Sequence, residues 1–257
     1  MKQTILTKLK AVEQEHNVRI LYACEAGSRA WGFESPDSDY DVRFIYTHPQ
    51  EWYMRFDVEK SRSVIECPIV DLIDCGGWDV RKALYLFTRT NGALIEWLNS
   101  PIRYLERGSF AKSLRKFVPT AMNETALCCH YYHLSKSNAA EHLSGAEVKL
   151  KKYLYVIRGL LAIRHIADNG SPPPVAFDAL VASAAPSRIR SEIAALLAQK
   201  RNTPELTLCR RMLRIDSFVK AEIERHAEGF SGQGRPDLLK SQSVRDVLNG
   251  VFKAAIK

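Results

Sequence analysis

Gly27-Ser28-Arg29-Ala30-Trp31-Gly32-Phe33-Glu34-Ser35-Pro36-Asp37-Ser38-Asp39-Tyr40-Asp41 is the stretch whose reading decides this chain. A Gly-Ser turn leads, through loop-forming Ser35-Pro36-Asp37-Ser38, to two acids one residue apart. The acids open an apolar run, Val42-Arg43-Phe44-Ile45-Tyr46, that reads as a strand. Alternate residues of a strand share a face, so Asp39 and Asp41 point the same way. Two carboxylates on one face repel each other unless a cation stands between them. Hard divalent ions such as Mg²⁺ are bound by such oxygens together with those of phosphate. The turn offers backbone N–H groups and the Ser28 hydroxyl to phosphate, and Gly27 has no side chain to keep a polyphosphate at a distance. A phosphate cradle beside metal-holding acids is the equipment for phosphoryl or nucleotidyl transfer. Arg29 and Arg43 stand close in sequence, each readable as a phosphate partner or as one half of a surface ion pair.

The chain has 257 residues, 46% of them hydrophobic, enough for one large domain or two small ones with real cores. No stretch approaches the ~18 uninterrupted apolar residues of a membrane span. Met1-Lys2-Gln3-Thr4 opens a mixed charged helix rather than a signal peptide. The six cysteines, Cys24, Cys67, Cys75, Cys128, Cys129 and Cys209, include no Cys-x-x-Cys pair, and reduced thiols in a cytoplasmic protein are expected. Cys128, Cys129, His130 and His133 cluster in sequence, but adjacent cysteines make poor zinc co-ligands.

The net charge of +8 is unevenly placed. Residues 1–100 carry 12 Lys and Arg against 15 Asp and Glu, a net of −3. Residues 101–257 carry 25 against 14, a net of +11. An acidic half suits metal binding, and a basic half suits a polyphosphate or a nucleic-acid backbone.

Working outward, the periodicity predicts a helix over 2–15 and a buried strand over 18–24, with a helical turn near 29–31 after the Gly-Ser bend. One or two strands are expected over 64–74, interrupted near Cys67-Pro68. Gly76-Gly77 reads as a break before a helix from Trp78 to about Thr90, and a short helix over 93–98 follows, capped by Asn91. Beyond residue 105 the pattern is helical: 108–117, 121–138, 145–168, 175–183, 187–199 and 204–227. Breaks are read at 169–174 and 229–234, and a loosely held helix at 237–256. Trp31, Trp78 and Trp97 are expected to pack in cores. The expected fold class is α+β: a catalytic domain over 1–104 with a mixed sheet and flanking helices, an all-helical domain over 105–230, and a tail over 231–257.

A strand, a Gly-Ser turn, a short helix and Asp-x-Asp on the next strand resemble the signature of the DNA polymerase β superfamily of nucleotidyltransferases. Most of the chain is similar to its RNA-repair-pathway, RNA-ligase-associated branch. The residues that carry this are Gly27 to Gly32, Ser35 to Arg43, Gly77-Trp78-Asp79-Val80-Arg81-Lys82-Ala83-Leu84, Asn91, Glu96-Trp97-Leu98, Ser100-Pro101 and Lys151 to Arg158. The likeness does not extend beyond about residue 230.

The resemblance implies a third carboxylate on a neighbouring strand. Asp74 is preferred, as an acid closing a strand before Cys75-Gly76-Gly77-Trp78, with Asp71 the alternate. It further implies that Asp39, Asp41 and Asp74 are catalytic and hold two Mg²⁺ ions, with Mn²⁺ able to replace them. A nucleoside monophosphate would pass from an NTP to a hydroxyl, with release of pyrophosphate. Gly27, Ser28, Arg29 and Lys82 are candidates for the nucleotide's phosphates. Lys149, Lys152 and Tyr153 would share one helix face, with Lys151, Tyr155 and Arg158 beside it. Such a surface either binds nucleotide, through Lys152, Tyr153 and Arg158, or is a solvated basic strip over packed tyrosines; the family pattern favours the first reading. RNA ends are the acceptor implied by the resemblance. Transfer to a protein or small-molecule hydroxyl uses the same site, and an inactive nucleotide- or RNA-binding module is the alternative from another class.

Overall fold

The structure, a computed structural model, describes residues 1–229 and 241–257. In chain order the elements are α1 (Lys2–His16), β1 (Arg19–Glu25), α2 (Gly27–Trp31), β2 (Tyr40–Thr47), α3 (Gln50–Tyr53), β3 (Val64–Glu66), β4 (Ile73–Asp79), α4 (Val80–Thr88), α5 (Gly92–Leu98), β5 (Arg103–Glu106), α6 (Phe110–Ala121), α7 (Glu124–His142), β6 (Glu147–Lys149), α8 (Leu150–Asn169), α9 (Phe177–Ala184), α10 (Ser187–Arg201), β7 (Leu208–Arg210), α11 (Leu213–His226) and α12 (Gln242–Ala255). The fold is α+β, and no described helix is long and apolar enough to cross a membrane. The chain forms two compact units.

The first unit gathers residues 1–30 and 39–121 with the described C-terminal residues 241–257. Its core is a five-stranded mixed sheet in the order β3-β4-β2-β1-β5, in which β2 and β4 run parallel and the other neighbours antiparallel. Alternation decides its two faces. Ile20, Ala23, Val42, Phe44, Tyr46, Ile65, Ile73 and Cys75 form one buried face, on which α1 lays Ile5, Leu9 and Val12. Tyr22 and Ile45, register partners, turn to the other face, where the Tyr22 hydroxyl donates to the carbonyl of Trp97 at 2.6 Å. Trp97 stacks on Trp78 with ring centroids 3.8 Å apart, so both tryptophans pack as expected.

The Gly76-Gly77 pair does not break the chain. It lies inside β4, because Phe44, the register partner of Gly77, lays its ring over that position. A Cβ on Gly77 would stand 2.6 Å from Phe44 Cζ. The strand expected over 68–74 accordingly starts at Ile73, after a turn in which Asp71 and Leu72 adopt φ 51° and 62°. The helix after β4 begins at Val80, capped by buried Asp79, whose carboxylate accepts Arg81 N–H at 2.8 Å. Asn91 caps α5 as expected, accepting Leu94 N–H at 3.0 Å.

The divisions of the chain differ from those expected. Helix α6 belongs with the sheet, so the first unit runs to Ala121 and not to 104. Helix α12 is part of the same unit, burying Leu248 and Ala255. Arg19 Nη2 holds the Ala255 carbonyl at 2.7 Å, and the Phe252 ring meets Tyr53 edge-on at 5.3 Å. The break expected over 229–234, apart from Gly229, and the start of the helix expected at 237 lie outside the described residues.

The second unit gathers residues 31–38 and 122–229. Helix α8 is its axis, buried along most of its length and packed by α7, α9, α10 and α11. It is not wholly helical: β6 and β7 pair antiparallel, Val148 opposite Cys209. Residues 31–38 are stitched into it. Lys200, buried on α10, donates to Ser35 Oγ; Arg201 Nη2 donates to the Gly32 carbonyl at 2.8 Å; Asp37 Oδ1 accepts Glu205 N–H at 2.9 Å.

Candidate active site

Asp41 of β2 and Asp74 of β4 lie on one face of the sheet, and Asp39 immediately precedes β2. Parallel pairing sets Asp41 opposite Asp74. Neighbouring strands run about 4.8 Å apart, so the Asp41 and Asp74 side chains rise side by side. Asp74 is therefore the second residue of β4 and not its last, a correction that follows from the strand continuing through Gly76-Gly77. Asp71 lies in the left-handed turn before β4, on a cavity it shares with Thr4 and Lys8 of α1.

Arg43 completes the pair. Its Nη2 donates to Asp41 Oδ1 at 2.9 Å and to Asp74 Oδ2 at 2.6 Å, and Nη1 donates to the Asp74 carbonyl at 3.1 Å. Burial by itself would lower the guanidinium's pKa. The hydrogen bond to Asp74 and the charge of Asp41 outweigh it and hold the pKa above its ordinary value. The three side chains remain 22–34% exposed, open to a ligand. Among the described residues, no three acid, histidine or cysteine side chains converge as a ready-made metal cage. What fits a hard cation is the chemistry of the donors: two adjacent carboxylates already bridged by one positive group, with Asp39 exposed immediately before β2.

The Gly27 turn is fitted to this pair. Gly27 has φ 57°, and a Cβ there would overlap Asp41 Oδ2 and stand 2.9 Å from its Cγ. Ala26 N–H donates to the Asp41 carbonyl at 2.8 Å. Ser28 is buried in α2. Arg29 Nε donates to the Asp39 carbonyl at 3.1 Å, and the guanidinium lies 3.8 Å from the Tyr40 ring centroid.

Two further residues hold Asp41 and were not singled out from sequence. Glu25, fully buried at the end of β1, accepts Asp41 N–H at 2.7 Å through Oε1, and its Oε2 accepts the Tyr104 hydroxyl. Burial pushes the Glu25 carboxyl above the usual carboxylate range, while the Tyr104 hydroxyl and the Asp41 N–H pull it back. An acid ending an otherwise apolar strand, two residues before a Gly-Ser turn, was the available signal. Tyr104 had none, because β5 is short and polar.

The remaining candidates are placed differently from expectation. Lys82 is on α4 with Nζ 6.0 Å from the Trp78 ring centroid. Trp78 is four residues along β4 from Asp74. In the second unit, Lys149 belongs to β6 and caps α8, so it does not share a helix face with Lys152 and Tyr153. Tyr153 is buried, its hydroxyl donating to Asp216 Oδ1 at 2.6 Å, which removes it as a stacking platform. Arg158 is buried with its guanidinium 4.4 Å from the Trp31 ring centroid, a packing position. Lys151 pairs with Glu205. Lys152 donates to Asn138 Oδ1 at 3.1 Å, and burial lowers its pKa. All six cysteines are free thiols.

Comparison with known proteins places the chain in a family. It is 46% identical over 229 residues to the protein named "Uncharacterized protein YcgL" of Bacillus subtilis (strain 168), covering 89% of this chain and 87% of that one. A crystal structure titled as a nucleotidyltransferase-like protein from Exiguobacterium sibiricum 255-15 aligns over 95% of this chain and 87% of that chain, at 11% identity and a TM-score of 0.33. The family described as RlaP, RNA repair pathway DNA polymerase beta family, matches residues 1–250. With nearly the whole chain matched, the protein belongs to the RNA repair pathway DNA polymerase beta family.

Proposed function

We propose that the protein is a nucleotidyltransferase that moves a nucleoside monophosphate from an NTP to a hydroxyl at an RNA end and releases pyrophosphate. The observation that carries the reading is the register of Asp41 against Asp74 on parallel strands, with the Gly27 turn closed against the Asp41 carboxylate. Asp39, Asp41 and Asp74 would hold a divalent cation, Mg²⁺ or Mn²⁺, which when bound neutralises phosphate charge and lowers the pKa of the acceptor hydroxyl. Asp74 is the group to take the proton from that hydroxyl, which leaves the oxygen free to attack the α-phosphorus as the bond to pyrophosphate breaks.

The other residues serve these acids. Glu25 fixes the backbone of Asp41 through its N–H, and Tyr104 fixes Glu25. Arg29 fixes the backbone of Asp39. Gly27, with no side chain, lets the turn close against Asp41 Oδ2. RNA is favoured as the acceptor by the family's description and by the excess of Lys and Arg beyond residue 100.

The test is acceptor selection. Incubation with each α-labelled NTP, Mg²⁺ or Mn²⁺, and a mixture of RNA, protein and small-molecule acceptors should place the label on RNA ends. Label on protein or on a small molecule alone would move the reading to a different acceptor.

A further inference from the structure

We infer that Arg43 is a resident counter-cation of the acid pair and that it competes with the divalent ion for Asp41 and Asp74; this rests on the nucleotidyltransferase reading of the site. One nitrogen, Nη2, bridges a carboxylate oxygen on each of two strands, at 2.9 and 2.6 Å. The other, Nη1, is tied to the carbonyls of Asp74 at 3.1 Å and Val42 at 3.3 Å, so the guanidinium is anchored to the backbone of both strands. A cation at the same two oxygens shares them with Arg43 and stands a few ångströms from its positive charge.

Two consequences follow from charge. Arg43 sets one positive charge directly against the carboxylates of Asp41 and Asp74. Arg43 thus holds the carboxylates together without an ion and weakens the site for one. It is a positioning residue, since it acts through the two acids. A monovalent charge a few ångströms from a divalent ion weakens its binding about tenfold even at the dielectric of water. A lysine keeps that charge but is a point donor, without the fork that spans two carboxylates.

The experiment is Mn²⁺ binding, followed by the loss of the free-ion electron paramagnetic resonance signal, in wild type, Arg43→Gln, Arg43→Met, Arg43→Lys and Asp74→Asn. Thermal unfolding identifies which variants fold, and two neutral variants guard against the failure of one. Arg43→Gln or Arg43→Met should bind Mn²⁺ about tenfold more tightly than wild type. Arg43→Lys should stay within a few-fold of wild type, and Asp74→Asn should bind more weakly. Equal or weaker binding in the neutral variants, with wild-type binding still sensitive to Asp74→Asn, overturns the role of Arg43 and leaves the nucleotidyltransferase reading intact. No binding sensitive to Asp74→Asn, in wild type or in the neutral variants, overturns both.

Discussion

Replacing Gly27 with alanine separates the two things that glycine does. The residue sits at φ 57°, where a side-chain-bearing residue costs roughly 1–2 kcal/mol. For a chain of this size that lowers Tm by roughly 2–8 °C. The added Cβ also overlaps Asp41 Oδ2 and crowds Cγ at 2.9 Å. Because Asp41 is partly exposed, its carboxylate yields more easily than the backbone does. A shift of about 1 Å at a group that must align reacting atoms costs on the order of 100-fold in rate. Gly27→Ala should therefore remain folded, with a Tm only a few degrees below wild type, and lose about two orders of magnitude in NMP transfer. Thermal unfolding and labelled-NTP transfer on the same preparation read both effects. Transfer within a few-fold of wild type, in a folded variant, would refute the idea that the turn is closed against a working carboxylate.

Three more perturbations probe the core, a buried acid and the acceptor. Gly77→Ala places a Cβ 2.6 Å from Phe44 Cζ in the core and should cost roughly 1–3 kcal/mol, measured by denaturant unfolding. Glu25 has a raised pKa, so its contribution to stability is complete below the unfolded carboxylate pKa and is lost as pH rises through the folded value. The Tm of Glu25→Gln minus that of wild type should therefore become more positive as pH rises above the ordinary carboxylate range, and a flat difference would count against a buried Glu25 with a raised pKa. If RNA is the acceptor, its affinity should fall linearly in log-log form with added salt, with a slope near −0.7 per phosphate contacted on a single strand. Affinity insensitive to salt would point to an acceptor of another kind.

Much of the first unit was legible because its signals are local. The apolar run after Asp41, the Gly-Ser bend and the period of residues 2–15 lie within single elements. What lies between elements was not legible. The opposition of Asp41 and Asp74 depends on a parallel register between β2, which ends at Thr47, and β4, which begins at Ile73. The chain between them passes through α3 and β3, and no local pattern there fixes that register. The family resemblance rather than the spacing supplied the third acid.

Gly76-Gly77 read as a break because glycine is a poor strand former, and only the Phe44 ring on the next strand explains it. Strands β6 and β7, three residues each, were hidden inside helical runs, and β5 is too short and polar to announce itself. Burial separates the second unit's candidates. A Lys/Tyr/Arg strip on α8 looks like a binding surface until burial is known, and burial assigns Tyr153 to Asp216 and Arg158 to Trp31. The bridging role of Arg43 was invisible for the same reason as the acid pair, since Asp74 is one of its two partners.

The central claim is that Asp41 and Asp74 together hold the cation that nucleotidyl transfer requires. Transfer of α-phosphate label from NTP to RNA in Mg²⁺, by wild type, Asp41→Asn and Asp74→Asn, tests it most directly. Labelled RNA and released pyrophosphate with wild type, and loss of nearly all transfer in both folded variants, is the predicted result. Undiminished transfer by either variant would contradict it.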